Sequence, residues 1–137
     1  MFLLDTNICI YAINGRHPKL TDRLLAVSPS DIVISSVTVG ELEYGAAKSR
    51  WGEHARQVMQ AFLANYTIIP FDEPDAIYFG ELRAELAAKG TPIGAYDAMI
   101  GAQGVARNLT VVTHNTKEFN RISGLMTEDW AEQDHRP

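Results

Sequence analysis

Short apolar segments alternate along the chain with longer stretches in which apolar residues recur every three or four positions. The segments FLL, DIVIS, TIIPF and LTVVT have the pattern of strands buried in a parallel sheet. The stretches between them have helical periodicity, and no Asn-Gly or Asp-Gly turn joins two strand patterns. The chain is therefore predicted to be an α/β protein with helices on both faces of a parallel sheet.

Capping and breaking residues mark the predicted helix boundaries. Ser35, Ser36 and Thr38 each offer a cap for the helix in VGELEYGAAKS, and Gly90 ends the helix in EPDAIYFGELRAELAAKG. HNTKEF is predicted to be a polar turn past the last strand. The acidic end TEDWAEQD is predicted to belong to a peripheral tail, about 127–137, of a single domain spanning residues 1–137.

Three acids occupy related positions in this pattern. Asp5 directly follows the first strand, Glu41 comes soon after the second, and Asp97 begins a helix that leads into the last strand. The carboxyl ends of parallel strands meet at one edge of the sheet, where α/β proteins bind ligands, so these acids are expected to converge. Each acid also has a simpler interpretation. Asp5 is a favoured N-cap, Glu41 has capping-box spacing with Thr38, and an acid is favourable near a helix N-terminus.

Convergence of three carboxylates predicts a bound divalent cation. Two like charges 4 Å apart repel by about 4 kcal/mol at an effective dielectric constant of 20, and a cation removes that repulsion. Oxygen ligands suit Mg²⁺ or Mn²⁺, and the chain lacks the H-x-x-x-H and C-x-x-C spacings of zinc sites. Such ions complete their shells with water and phosphate oxygens. Phosphoryl chemistry with a metal-activated water is therefore expected.

Composition limits the compartment and the mode of binding. A chain of 137 residues, 46% of them hydrophobic, is long enough to bury a core without disulfides. The single cysteine, Cys9, lies in an apolar helix pattern, where a buried filler is favoured over a catalytic thiol, and a reducing, cytoplasmic location is expected. No apolar stretch approaches the length of a membrane span. The formal net charge of −5 argues against binding nucleic acid by bulk attraction.

One local basic segment, KSRWGEHAR, departs from the acidic character of the chain. It places Lys48, Arg50 and Arg56 around Trp51 and His54. Cations interleaved with an aromatic ring suit phosphates and an unstacked base. A solvated junction between two helices is the alternative interpretation, and it is slightly favoured.

Four segments resemble the VapC toxins of bacterial toxin–antitoxin pairs, which are PIN-domain ribonucleases: LLDTNICIYAI, ISSVTVGELEYGAAKS, RAELAAKGTPIGAYDAMIGAQ and VVTHNTKEFNRISGLMTEDW. The resemblance runs nearly end to end. It implies a PIN-domain-like sandwich around a central parallel sheet of four to five strands. It also implies endonucleolytic cleavage of RNA, such as tRNA, leaving a 3′ hydroxyl and a 5′ phosphate. A VapB-type antitoxin and a toxin homodimer are the implied partners.

The resemblance also implies roles for individual residues. Asp5, Glu41 and Asp97 match the metal-binding acids of the family. Many PIN domains carry a fourth acid where this chain has Asn115, so Asn115 is expected to orient a water unless Glu118 replaces the acid. One firmly bound Mg²⁺ (or Mn²⁺) is expected, with another recruited by substrate. Hydrogen bonds that support the acids are expected from Asn7 and Thr113, or from the hydroxyl of Thr6 instead, with helix capping and strand termination as the alternative interpretation. The expected RNA contacts are Lys48, Arg50, Arg83 and Arg121.

Two other functions compete with this one. A haloacid-dehalogenase-like phosphatase also places an Asp after its first strand, but such enzymes usually carry a second acid where this chain has Asn7. A degenerate PIN scaffold that binds antitoxin or RNA without cutting is the non-enzymatic alternative, and the three intact acids argue against it. A nucleotide-binding module is disfavoured, because the chain has no G-x-x-x-x-G-K-S/T loop and no strand followed by G-x-G-x-x-G.

Overall fold

The computed structural model describes residues 1–131 of the chain. The elements, in chain order, are β1 Phe2–Leu4, α1 Thr6–Asn14, α2 Pro18–Ala26, β2 Ile32–Ser35, α3 Ser36–Lys48, α4 Gly52–Leu63, β3 Thr67–Ile69, α5 Glu73–Ala88, α6 Ala95–Ala106, β4 Thr110–Val112, α7 Thr116–Phe119 and β5 Met126–Glu128. A 3₁₀ turn, Pro29–Asp31, precedes β2. Within residues 1–131, none of the helices combines the length and the apolar character that a membrane span requires.

Five parallel strands form one sheet in the order β3-β2-β1-β4-β5. The central strand is β1, in which Leu3 pairs with Val33 on one side and with Val111 on the other. The chain runs outward from β1 to β3 and then returns to place β4 on the opposite side of β1. The strand order therefore reverses at β1, and ligands bind α/β sheets at the carboxyl edge of such a reversal. The predicted α/β fold with a parallel sheet is confirmed.

Different helices cover the two faces of the sheet. Consecutive strand residues point to opposite faces, so Leu3 and Leu4 belong to two separate clusters of buried residues. One cluster joins the sheet to α1–α4 and includes Leu4, Ile8, Leu20, Ile34, Leu42, Met59 and Val112. The other joins the sheet to α5–α7 and includes Leu3, Val33, Leu82, Leu86, Ile100, Val111 and Phe119. This two-sided core leaves the carboxyl edge of the strands available for a site.

The segment after β4 departs from the sequence-based predictions. HNTKEF, predicted to be a turn, contains helix α7, and the stretch predicted to begin a peripheral tail forms the edge strand β5. Trp130 is buried, and its ring lies edge-on to the ring of Phe2 with the centroids 4.9 Å apart. The pattern failed here because β5 has three residues and only one of them, Met126, is strongly apolar. Residues 132–137 of the predicted tail lie outside the described residues.

The structure decides which of the three possible capping residues begins helix α3. Ser35 is the N-cap, and its hydroxyl oxygen accepts a hydrogen bond from the backbone N–H of Val37 at 3.0 Å. Thr38 lies inside the helix, fully buried, and its hydroxyl bonds to another helix. The interpretation of Thr38 and Glu41 as a capping box is therefore wrong, and the Glu41 carboxylate does not cap α3.

Gly104 of helix α6 is required by close packing against β4. A Cβ atom at this position would lie 2.8 Å from Cγ2 of Val111 and 2.7 Å from Cδ1 of Leu125. We expect Gly104→Ala to lower the free energy of unfolding by about 1–2 kcal/mol, because overpacking outweighs the gain in helix propensity. Gly80 is exposed on α5 with open space around it. Urea denaturation should show Gly80→Ala to be neutral or stabilising, and equal destabilisation of both variants would contradict this account.

A buried ion pair joins helices α5 and α6. Asp75 is 1% exposed and accepts hydrogen bonds from Nη2 of Arg107 at 3.0 Å and from Nε2 of Gln103 at 3.2 Å. Burial alone would raise the pKa of Asp75, but the hydrogen bonds from Arg107, the Asp72 backbone and Gln103 outweigh it, so the pKa lies below the usual 3.8. The pair therefore contributes its full stability above pH 4, and that contribution is lost as the pH falls further.

Removing the cation of this pair is expected to be strongly destabilising. Arg107→Gln leaves the Asp75 charge buried without its counter-ion, and we expect the free energy of unfolding at pH 7 to fall by about 3 kcal/mol. Lys89→Gln is the matched control, since Lys89 and Glu85 form an exposed pair at 2.9 Å. Its effect should stay below about 0.5 kcal/mol. Thermal or denaturant unfolding measures both, and similar values for the two variants would contradict the assigned role of Arg107.

Candidate functional site

The carboxylate of Asp5 lies at the end of the central strand. The backbone N–H of Asp5 donates to the carbonyl of Val112 at 3.0 Å, which extends the pairing of β1 with β4. Its side chain caps α1 by accepting a hydrogen bond from the N–H of Ile8 at 2.8 Å, and the Thr113 hydroxyl donates to the same carboxylate. Asp5 is 2% exposed. The cap predicted from the sequence is confirmed, and the same carboxylate lies where the strand order reverses.

The side chain of Glu41 is oriented by two threonines from different helices. The Thr6 hydroxyl donates to Oε1 of Glu41 at 2.6 Å. Because the only proton of Thr6 is used in this bond, its oxygen accepts the hydrogen bond from Thr38, 3.0 Å away. This chain of hydroxyls ties α1 to α3 and places Glu41 next to the residue that follows Asp5. Thr6 is thus the supporting hydroxyl for Glu41, and sequence reasoning assigned Thr38 to a cap instead.

Asp97 completes a group of acids whose charges act on one another. It lies in the first turn of α6 and is half-buried. Burial raises the pKa of Asp97, and the charges of Glu41 and Glu118 raise it further. Burial likewise raises the pKa of Asp5 to about 6, against the hydrogen bonds from Thr113 and Ile8, with the charges of Asp97 and Glu41 adding to the rise. The fold therefore places Asp5, Glu41 and Asp97 within range of one another's charges.

The acids have the right chemistry to bind a divalent cation, but their side chains are too far apart in this structure to enclose one. Within residues 1–131, no three His, Cys, Asp or Glu side chains stand close enough to enclose an ion as they lie. The donors that Asp5, Glu41 and Asp97 present are carboxylate oxygens, which hard cations such as Mg²⁺ and Mn²⁺ prefer. A cation would also favour the charged forms that burial and mutual repulsion disfavour. Closing around an ion requires the carboxylates to adjust.

The remaining predicted supporting residues divide into those near the acids and those away from them. Thr113 bonds Asp5 and also accepts a hydrogen bond from the backbone N–H of Asn115 at 2.9 Å. Asn115 is the N-cap residue of α7, but its side chain makes no capping bond. Glu118, two residues into that helix, is close enough for its charge to act on Asp97. Asn7 is exposed, and no hydrogen bond within the described residues joins it to the acids.

Comparison with known proteins places this chain in a family. A model of the PIN domain matches residues 2–125. The "tRNA(fMet)-specific endonuclease VapC" of Salmonella typhimurium is 43% identical over 130 residues, covering 95% of this chain and 98% of that protein. "Ribonuclease VapC2" of Rickettsia felis is 42% identical over 131 residues, with the same two coverages. The chain belongs to the VapC family of PIN-domain ribonucleases.

Solved structures agree with this assignment. The crystal structure of DNA-bound VapBC from Salmonella typhimurium contains a chain that superposes with a TM-score of 0.89 at 43% identity, covering 94% of this chain and 97% of that one. VapBC2 from Rickettsia felis, bound to a fragment of promoter DNA, gives a TM-score of 0.88 at 40% identity. The PIN-domain fold expected from the resemblance is confirmed. The phosphatase alternative loses its support, since the matching family and fold are those of PIN domains.

The four basic residues predicted to contact RNA form two separate pairs. Lys48 and Arg50 lie at the end of α3, where Arg50 stacks its guanidinium over the exposed Trp51 ring at 5.1 Å. Arg83 and Arg121 lie near the loop before α6: Arg83 lines a small cleft with Pro92, and Nη1 of Arg121 donates to the Pro92 carbonyl at 3.2 Å. That these four residues contact RNA remains a prediction.

Cys9 has no catalytic position. It is a fully buried residue of α1, and burial raises the pKa of its thiol well above the usual value, with the Asp5 charge adding to the rise. A thiol in this state is a poor nucleophile. The sequence-based preference for a buried filler over a catalytic thiol agrees with this position.

Proposed function

We propose that this chain is the toxin of a toxin–antitoxin pair and a metal-dependent endoribonuclease that cleaves tRNA. The observation that carries the proposal is the convergence of Asp5, Glu41 and Asp97 at the carboxyl edge of β1, with mutual repulsion that a cation would relieve. Support also comes from two relatives, 42% and 43% identical, named as tRNA(fMet)-specific endonucleases. tRNA(fMet) is therefore the first substrate to test.

Asp5, Glu41 and Asp97 are the residues that would hold Mg²⁺ or Mn²⁺. When bound, the ion supplies activation of the attacking water and stabilisation of charge on the leaving oxygen. The protein holds the carboxylates in place: the Ile8 N–H and the Thr113 hydroxyl fix Asp5, and the Thr6 hydroxyl fixes Glu41. Cleavage leaves a 3′ hydroxyl and a 5′ phosphate.

Many PIN domains carry a fourth acid, and Glu118 is better supported than Asn115 as the residue that takes its place here. Its charge acts on Asp97, whereas the hydrogen bonds of Asn115 within the described residues are made by its backbone: its N–H donates to Thr113 and its carbonyl accepts from Phe119. A carboxylate at this position carries the negative charge that an amide lacks, and it would assist a second ion recruited with the substrate. Asn115 is left to orient a water through its neutral side-chain oxygen.

A VapB-type antitoxin is the proposed partner. Structures of VapBC from Salmonella typhimurium and Rickettsia felis contain chains that superpose on this one over at least 94% of its length. An arginine of the antitoxin would make a charge-assisted contact with the acids of the site and so compete with metal binding. A toxin homodimer in the complex and a cytoplasmic location complete the proposal, and the unpaired Cys9 fits a reducing compartment.

The experiment that tests this function is cleavage of a total tRNA pool by the purified, antitoxin-free chain. Reactions contain Mg²⁺, Mn²⁺ or excess chelator, and the product ends are mapped by sequencing. The proposal predicts discrete cuts with 5′ phosphates that disappear with the chelator. Cleavage that persists in chelator, or products with 3′ phosphates, would contradict it. RNA binding without any cut under all three conditions would favour the degenerate-scaffold alternative.

A further inference from the structure

A groove of about 690 Å³ opens directly beside the acids. It lies between α3 and α6 and is lined by Val37, Gly40, Glu41, Tyr44, Tyr96 and Met99. Its volume is within the range of small-molecule binding sites, about 300–1,000 Å³. Glu41 belongs both to this lining and to the acids of the candidate metal site. The groove is therefore continuous with the place where a phosphodiester would be cut.

Two tyrosines that line this groove are largely exposed. Tyr44 is 67% exposed and Tyr96 is 59% exposed. Tyr44 follows Glu41 by one helical turn, and Tyr96 directly precedes Asp97. Neither ring packs against another aromatic ring in the described part of the chain. Each tyrosine thus leaves aromatic surface exposed in the groove, and each is close in sequence to a carboxylate of the site.

A positive charge accompanies one of these rings. Nζ of Lys48 lies 5.3 Å from the centroid of the Tyr44 ring. In a chain with a formal net charge of −5, a cation at this position provides local attraction for a phosphate. An aromatic ring beside a cation is the combination that binds a base together with its phosphate in single-stranded nucleic acid.

We propose that Tyr44 and Tyr96 stack against an unpaired base next to the scissile phosphodiester, with Lys48 contacting a neighbouring phosphate. This inference rests on the proposed function, because it makes the groove the nucleoside subsite of the same nuclease. A base inside a duplex is already stacked on both sides, so the subsite requires a base that is free to leave its stack. Cleavage is consequently restricted to loops and single strands of the RNA.

The test uses stem-loop RNAs in which 2-aminopurine replaces one loop base at a time. Stacking on an aromatic side chain quenches this fluorophore. Binding is measured with Mg²⁺ present and in the Asp5→Asn background, so that the RNA stays intact. We expect quenching at one loop position, its loss in Tyr44→Ala and Tyr96→Ala, and a Kd raised by about tenfold. Tyr44→Phe and Tyr96→Phe keep the ring and should stay within about twofold.

The matched control is Tyr78→Ala, which removes an exposed tyrosine on α5 that does not line the groove. It should leave quenching and Kd unchanged. In the otherwise native chain, the two alanine variants should raise KM for cleavage about tenfold and leave kcat within about threefold, since the acids are untouched.

Three outcomes would overturn the inference while leaving the proposed function intact. Quenching that persists in both alanine variants would show that the rings do not contact the base. A change from dimer to monomer in sedimentation would show that the rings pack against a second copy. Weakened antitoxin binding with unchanged RNA binding would assign the groove to the antitoxin. Absence of any RNA cleavage by the unaltered chain would instead overturn the proposed function.

Discussion

Glu41→Gln and Asp97→Asn are each expected to lower the rate of RNA cleavage by about a thousandfold. An amide keeps the size of the carboxylate but removes the charge that balances a divalent cation. Losing roughly 4 kcal/mol of transition-state charge stabilisation corresponds to that factor. Single-turnover cleavage of labelled tRNA with Mg²⁺ measures the effect. Glu41→Gln should remain folded, because the amide oxygen of Gln still accepts the hydrogen bond from Thr6, and circular dichroism checks the fold of both variants.

The chain offers a matched control for Glu41 on the same helix. Glu43 lies two residues further along α3, where its carboxylate accepts a hydrogen bond from Nε of Arg56 at 3.1 Å, with 38% of its side chain exposed. Glu43→Gln should leave the cleavage rate within about twofold. If Glu43→Gln were as damaging as Glu41→Gln, or if Glu41→Gln retained the native rate, the assignment of Glu41 to the metal site would be wrong.

Asp5→Asn is expected to stabilise the metal-free protein at pH 7.5 while removing its response to Mg²⁺. Burial, partly opposed by the hydrogen bonds from Thr113 and Ile8, raises the pKa of Asp5 from 3.8 to about 6 in the folded state. The folded state therefore binds a proton more tightly than the unfolded state, and stability falls as the pH rises through this interval. Each pH unit between the two pKa values corresponds to about 1.4 kcal/mol, so above pH 6 the charged carboxylate lowers the free energy of unfolding by about 3 kcal/mol.

An asparagine at position 5 can keep the cap to Ile8 without this charge. Chemical denaturation in chelator should give Asp5→Asn a free energy of unfolding up to about 3 kcal/mol higher at pH 7.5, with the difference vanishing below pH 4. Added Mg²⁺ should raise Tm of the native chain and leave the variant unchanged. Asp22→Asn, at an exposed position on α2, should alter neither quantity. A variant that is less stable than the native chain at pH 7.5 would contradict the inferred burial cost.

The strand pattern predicted the placement of the acids because parallel strands leave little freedom at their carboxyl ends. FLL, DIVIS and LTVVT are short, apolar and bounded by polar residues, so the ends of β1, β2 and β4 were evident. Once these strands are parallel neighbours, the residues after β1 and β2 have to lie side by side. The position of Asp5 follows directly from this geometry, whereas Glu41 lies six residues past the end of β2, inside α3.

The contacts that orient the acids could not be predicted in this way. The hydrogen bond from Thr6 to Glu41 joins residues 35 positions apart on two helices, and no local pattern reports their relative rotation. Ser35 and Thr38 both have the chemistry of an N-cap, and only the packing of α3 against α1 decides that Thr38 turns inward. Strand β5 was missed for a related reason, since its neighbour β4 supplies the pairing that its own sequence does not indicate.

We propose that Asp5, Glu41 and Asp97 jointly hold the cation that cleavage requires. Anomalous diffraction from crystals of the antitoxin-free chain soaked with Mn²⁺ can locate that cation. We expect an anomalous peak bonded to carboxylate oxygens of these acids, and its loss in crystals of Asp5→Asn soaked in the same way. A peak at another site, or no peak between these acids in crystals that retain cleavage activity with Mn²⁺ when dissolved, would contradict it.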